Sequence, residues 1–325
     1  MERDDWAQGV RDHDAVLWRP IYYGPGSATV LKEKVFFMEH FLGIRVVPNV
    51  RTLWHYDSKA AQTYMFRECG VRVPSTVVTS SHHDAMEHLT GSDLPLVFKA
   101  SHGASSSNVR LIRTREKAKQ AIDSLLCAQR WRDFRRSADS RREALLRALS
   151  CLPWQRWFWS KVRQRLLIED YFDLVYWQEF VPGNDGDLRI TVIGDRFAVG
   201  FWRKNRPGDF RASGSGLLDY DSPVPEAAVR YCIDLNRRFA FDSMAYDLLF
   251  AGDDFVVVEM SYAYVDRAVF DAPGHYRMVG HSLDFVPGHV EPQQLWVDWL
   301  LLELFGDAAE TWLTAANAGV TKPES

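Results

Sequence analysis

In the second half of the chain, apolar runs break twice at small-residue turns. Residues 187–193 and 197–203 flank Gly194-Asp195, a tight-turn pair, and predict a β-hairpin. Residues 244–250 and 255–260 flank Ala251-Gly252-Asp253-Asp254 and predict a second. A helical pattern over 225–239 lies between them. The first half mixes the two periods. Residues 16–18 and 44–47 predict strands, with a helix over 29–42 between them. Asp57 is the expected N-cap of a helix that carries Ala60, Ala61, Tyr64, Met65 and Phe66 and stops at Gly70. Val73-Pro74 opens an extended segment over 75–79. A short strand over 94–100 runs into a loop over 101–107 and out into a strand over 108–112. Residues 114–149 and 154–165 are helical in composition, and 175–181 reads as a strand cut off by Pro182-Gly183. Apolar helices close the chain at about 292–305 and 307–317. Strands and helices mix without strict βαβ alternation, so an α+β architecture with antiparallel sheets is expected.

Composition narrows the class. A chain of 325 residues is long enough for two lobes, each with a core. The formal charge of −4 is mild. Met1-Glu2-Arg3-Asp4-Asp5 is charged and leads into no apolar run, which argues against a secretory signal. No apolar stretch approaches the roughly 18 residues of a membrane span. Cys69, Cys127, Cys151 and Cys232 form no CxxC pair, so reduced thiols in a cytoplasmic protein are expected. Charge is uneven, because arginines dominate 130–165, interleaved with Trp131, Trp154, Trp157 and Trp159. Such a stretch suits a membrane surface or an anionic polymer. It equally suits a solvated helix with packed aromatics, which is the favoured reading. Nothing further points to nucleic acid.

Three groups of residues carry candidate chemistry. Lys99 ends the apolar strand Val97-Phe98, where an unpaired ammonium is costly to bury. The loop after it holds Gly103, Ser105, Ser106 and Ser107, whose backbone N–H groups can approach an anion closely. The competing reading is a hairpin turn with a snorkelling lysine. No Gly-x-x-x-x-Gly-Lys-Ser/Thr is present, so this is not a P-loop. Asp247 and Glu259 each lie inside an apolar run on adjacent predicted strands. Neighbouring buried carboxylates repel unless a cation sits between them, and Mg²⁺ prefers oxygen ligands. The alternative is that both face solvent on an edge. Asp187 and Arg189 share a strand face, and Arg203 ends the partner strand. Arg211 lies in a second small-residue loop, 209–216. These arginines form either a solvated basic face or a grip on phosphate or substrate.

Taken in order, four blocks resemble the ATP-grasp superfamily. They are Asp57-x-Lys59, Val97-Phe98-Lys99 with its loop, Gln178-Glu179-Phe180-Val181, and the hairpins with Asp187-x-Arg189, Arg203, Asp247 and Glu259. The chain looks like the subgroup of ribosomal S6 modification enzymes, glutathione synthetase and D-alanine–D-alanine ligase. That resemblance implies two α/β lobes with antiparallel sheets clasping ATP. It divides the chain into a short segment 1–55, a small lobe 56–180 with the Arg-rich insertion at about 125–170, and a large lobe 181–325. Lys59 and Lys99 would contact the phosphates, and Gly103 to Ser107 would close over them. Gln178, Glu179, Phe180 and Val181 would hold adenine and ribose, and Asp187 would join the nucleotide site. Arg189, Arg203 and Arg211 would be catalytic. Asp247, Glu259 and Ser261 would bind Mg²⁺, with Ser261 standing where the family usually has Asn. The implied reaction is ligation of a carboxylate to an amine or related nucleophile through an acyl phosphate. The 209–216 loop is similar to members associated with surface polysaccharide biosynthesis, which implies small-molecule or glycan substrates. A kinase on the same scaffold and a non-catalytic nucleotide-binding module are the alternatives.

Overall fold

The computed structural model describes residues 4–19, 25–56, 58–99, 109–123, 126, 174–252, 254–306, 308, 309, 311 and 313. The loop with Gly103, Ser105, Ser106 and Ser107, the expected N-cap Asp57 and the Arg/Trp-rich stretch lie outside them. The chain divides into two compact units. One joins Met1–Pro74 to Val181–Ser325, and the other is Ser75–Phe180.

In the first unit, β1 (Ala15–Leu17) and β2 (Arg45–Val47) pair in parallel. The second unit holds β3 (Thr76–Thr79), β4 (Leu96–Lys99), β5 (Val109–Ile112) and β6 (Val175–Glu179) in the antiparallel order β3-β6-β4-β5. The large sheet of the first unit contains β7 (Gly186–Ile193), β8 (Phe197–Lys204), β9 (Leu218–Asp219) and β10 (Ser243–Ala251). It is completed by β11 (Asp254–Ser261), β12 (Gly274–Val279) and β13 (Ser282–Pro287). Its order is β11-β10-β7-β8-β12-β13, with β9 on β8.

Alternation along β7 decides what covers each face. Leu188, Ile190 and Val192 point one way, with Met244, Tyr246 and Leu248 of β10. They pack under the helix Glu226–Phe239 through Val229, Ile233 and Leu235. That helix ends at Ala240 with φ 53°, a left-handed stop, and carries Arg237 and Arg238 in its last turn, where cations suit the dipole. Ile193 and Phe197 point the other way and meet Leu295, Trp296 and Leu302, which lie on the helix Pro292–Phe305. Val199 and Phe201 meet Val269 and Ala272 there. Towards the other ends of β7 and β8, that same face carries charge.

Residues 56–74, expected in the small lobe, belong to the first unit. Phe66 and Val71 enter its core. Gln62 Nε2 donates to the Met260 carbonyl at 3.0 Å, and the Val257 N–H donates to the Arg72 carbonyl at 2.8 Å. Asp242 ties the N-terminal segment down as well. Its buried carboxylate accepts from Arg45 Nη2 at 2.8 Å and from the Asn49 N–H at 2.6 Å. The cap of the helix Lys59–Glu68 is Ser58, whose Oγ accepts from the Ala61 N–H at 3.3 Å.

The second unit has its own core of Leu89, Leu96, Phe98, Ile112, Ile122, Val175 and Trp177. Phe98 and Trp177 stack at 5.2 Å. Its helix His82–Gly91 and the first unit's β12–β13 hairpin and helix Asp266–Phe270 were not among the expected elements. Among the described residues, no helix is long and apolar enough to cross a membrane.

Candidate functional site

Strand register lines up five charged side chains on one face of the large sheet. Arg203 on β8 stands opposite Asp187 on β7. Arg189 on β7 stands opposite Asp247 on β10, and Asp247 stands opposite Glu259 on β11. Directly opposed residues share a face, so the charges form a band across four strands. A bulge follows the last pair, because Leu248 is already opposite Val257. The extra residue lets Glu259 stay beside Asp247 while Val257 turns into the core with Leu248.

The band is knit by short ion pairs. Arg203 Nε and Nη2 donate to Asp187 Oδ1 and Oδ2, both at 2.6 Å. Arg203 Nη2 also reaches Asp247 Oδ2 at 2.7 Å. Arg189 Nε and Nη2 donate to Asp247 Oδ1 and Oδ2 at 2.8 and 2.9 Å. Asp247 therefore engages three of the four lone-pair directions a carboxylate offers. Asp187, Arg203 and Asp247 are 8%, 5% and 4% exposed, so these charges are mutually obligatory. Glu259 is half-buried on the edge strand β11, and its side chain makes no hydrogen bond or ion pair among the described residues.

Burial and the facing Asp247 carboxylate push the Asp187 carboxyl above the usual carboxylate range, against the pull of Arg203. Burial lifts Asp247 too, but Arg189 and Arg203 outweigh it and hold that carboxyl below the usual range. Burial opposes the charge on Arg203, and Asp247 and Asp187 more than restore it. The pattern is an ionised Asp247 locked between two guanidinium forks.

The donors suit a hard cation in part. Among the described residues, no three or more His, Cys, Asp or Glu side chains group as metal ligands. Mg²⁺, however, is commonly held by one or two carboxylates plus phosphate oxygens. Glu259 offers both of its oxygens, and Asp247 has one lone-pair direction left. The Ser261 hydroxyl instead serves its own turn, donating to the Ala263 carbonyl and accepting from the Ala263 N–H, both at 3.2 Å.

In the second unit, Lys99 Nζ donates to Gln178 Oε1 at 2.6 Å and lies 5.9 Å from the Tyr176 ring centre. Gln178 Nε2 in turn donates to Thr76 Oγ1 at 3.2 Å. Gln178 is buried, and its side chain bridges Lys99 and Thr76. Glu179 is exposed and its N–H donates to the Ser75 carbonyl at 2.8 Å, while the Phe180 N–H donates to the Pro95 carbonyl at 3.3 Å. Val181 belongs to the first unit, as does Lys59, the first residue of its helix. Arg211 is clasped by Asp209, with Nε at 2.9 and 3.0 Å from the two carboxylate oxygens. The same loop is braced by Arg206, which donates to the Ser213 and Gly214 carbonyls.

Two residues near the band escaped the sequence reading. Asn184 accepts from the Phe250 N–H and donates to the Phe250 carbonyl, both at 2.9 Å, pinning the entry to β7 against the end of β10. Gly186 lies so close to β8 that a Cβ there would be 2.2 Å from the Arg203 carbonyl oxygen. The turn sequence Pro182-Gly183-Asn184-Asp185 signals a loop, but not this contact.

No protein-family model and no curated protein matches this sequence. Solved structures do resemble it. A RiPP-associated ATP-grasp ligase of Chryseobacterium gregarium, in complex with ADP and a leader and core peptide, is 14% identical with a TM-score of 0.51. The match covers 81% of this chain and 72% of that one. The D-alanine–D-alanine ligase of Bacillus anthracis, complexed with ATP, is 12% identical over 79% of this chain and 71% of its own, with a TM-score of 0.48. A RimK domain ATP-grasp protein of Sphaerobacter thermophilus is 16% identical over 77% and 72%, with a TM-score of 0.46. With its antiparallel sheets in this order, and with the first of these structures as its match, the chain has the ATP-grasp fold.

Proposed function

We propose that this chain is an ATP-dependent ligase that joins a carboxylate to an amine or related nucleophile. The observation that carries the reading is the buried band of Arg189, Arg203, Asp187 and Asp247 ending at Glu259, unpaired among the described residues and set in an ATP-grasp fold. Mg²⁺-ATP would supply the phosphoryl group that turns a poor electrophile into an acyl phosphate. Glu259 and Asp247 would hold the cation. Lys99, hydrogen-bonded to Gln178, and Lys59 would bind phosphate oxygens. Backbone and side chains of Glu179, Phe180 and Val181 would hold adenine and ribose, and Gly103 to Ser107 would exclude water. Arg203, fixed by Asp187, presents a preorganised positive charge, which stabilises developing negative charge without reorganisation. Arg211 would serve the substrate side. The finer substrate reading is a small-molecule or glycan carboxylate and amine, as in polysaccharide modification.

The test is ADP release with panels of carboxylates and amines, including sugar acids and peptides, followed by mass measurement of the product. Mass gain equal to condensation supports ligation. Gain of one phosphoryl group replaces the ligase with a kinase. Glu259→Gln is expected to abolish Mg²⁺-dependent ADP release, and unchanged turnover in the folded variant would sink the metal assignment.

A further inference from the structure

We propose that Arg189 and the divalent cation compete for Asp247, so that cation binding releases the Arg189 guanidinium to an anionic substrate group. The inference rests on the Mg²⁺ reading of Glu259 and Asp247 given above. Asp247 sits in register between Arg189 on one side and Glu259 on the other. Three of its four lone-pair directions are engaged by arginine, so a cation that draws fully on Asp247 must displace one fork. The two arginines are not equivalent. Arg203 is 7% exposed at its side chain and is also gripped through both oxygens of Asp187. Moving it would strand a second buried carboxylate. Arg189 is 17% exposed at its side chain, and among the described residues it pairs with Asp247 alone. It is the fork that can leave. Once free on that face, a planar guanidinium matches a carboxylate or phosphoryl group through two parallel hydrogen bonds. Arg189 is then a positioning residue for the cation site, and the charge it carries is delivered only when the cation is there.

The test is Mn²⁺ binding, followed by the electron paramagnetic resonance of the free ion, on the intact protein without nucleotide. Arg189→Gln removes the competitor and is expected to tighten Mn²⁺ binding at least tenfold. Arg189→Lys keeps the charge but loses the fork, and is expected to fall between the two. It also guards against a misfolded glutamine variant. Glu259→Gln is the control for the site itself and should abolish binding. Equal or weaker affinity in both Arg189 variants overturns the competition while the Glu259 control leaves the metal reading intact. If neither wild type nor any variant binds Mn²⁺, either alone or with ADP added, both ideas fall.

Discussion

His55 takes both ring nitrogens into the core without a hydrogen-bond partner among the described residues, at 1% exposure and 5.2 Å from the Phe241 ring. Burial, with Lys32 nearby, lowers its pKa from 6.5 to about 3. The unfolded chain binds a proton there near pH 6.5 and the folded chain does not. This contribution to stability is therefore complete above about pH 6.5 and drains away as the pH falls towards 3, at about 1.4 kcal/mol per pH unit. His55→Leu should flatten that loss, read as urea midpoints at pH 7.5 and 5.5. An unchanged gap between the two midpoints would show that other groups dominate. The ionic band behaves differently. Asp187→Ala leaves Arg203 with half of its partners in a buried setting and is expected to cost about 3–5 kcal/mol by chemical denaturation. Much of this band was readable beforehand. Asp187-x-Arg189 must share a face, and carboxylates inside apolar runs must find partners. What could not be read was which arginine takes which aspartate, because that depends on cross-strand register, nor that Glu259 falls beside Asp247, which depends on a bulge with no glycine to announce it.

Hairpins with strong alternation and a tight turn were the elements most open to sequence reasoning, and β7–β8 and β10–β11 are both there. The β12–β13 hairpin was not, because most of its residues are part-exposed or exposed, which leaves no apolar stripe to detect. The helix His82–Gly91 buries little beyond Ala85 and Leu89, so its apolar face is equally faint. Lys99 looked like a phosphate ligand waiting for an anion, yet its strand neighbour Gln178 is already within hydrogen-bond reach. Gly186 shows how an element sets the site's tolerance. The atom a new Cβ would strike is backbone, so Gly186→Ala must spread β7 from β8 beside Asp187 and Arg203. A shift of this kind is expected to lower turnover by at least about tenfold. Steady-state kinetics on a variant with native circular dichroism checks this, and wild-type rates would refute it.

At the scale of the molecule, the hydrophobic clusters of the described residues each stay within one unit. Those containing β7, β8 and β10 draw on the first unit alone, and the cluster around Trp177 draws on the second alone. The two cores should therefore loosen independently. Ile122→Ala empties a fully buried position of the second unit, at an expected cost of about 2–5 kcal/mol. Native-state hydrogen exchange should quicken in β4 and β6 and stay unchanged in β10. Equal acceleration in both would mean that the units unfold together. The helix Lys59–Glu68, which the sequence places with residues 56–180, lies in the compact unit of Met1–Pro74 and Val181–Ser325. Gln62 on that helix donates to the Met260 carbonyl, and Arg72 just beyond it accepts from the Val257 N–H, both partners far downstream.

That downstream anchoring sets an order of events during synthesis. Residues up to Pro74 leave the ribosome long before the strands that complete their core, because all of Ser75–Phe180 is made in between. At ordinary elongation rates the delay is on the order of 10 s. The inserted unit has every core residue it needs by Trp177, whereas the early segment, with Phe66 and Val71 still uncovered, must wait. A nascent chain halted once residue 180 has cleared the ribosome should present a finished domain behind a sticky, unfinished one, the natural point for a chaperone to hold it.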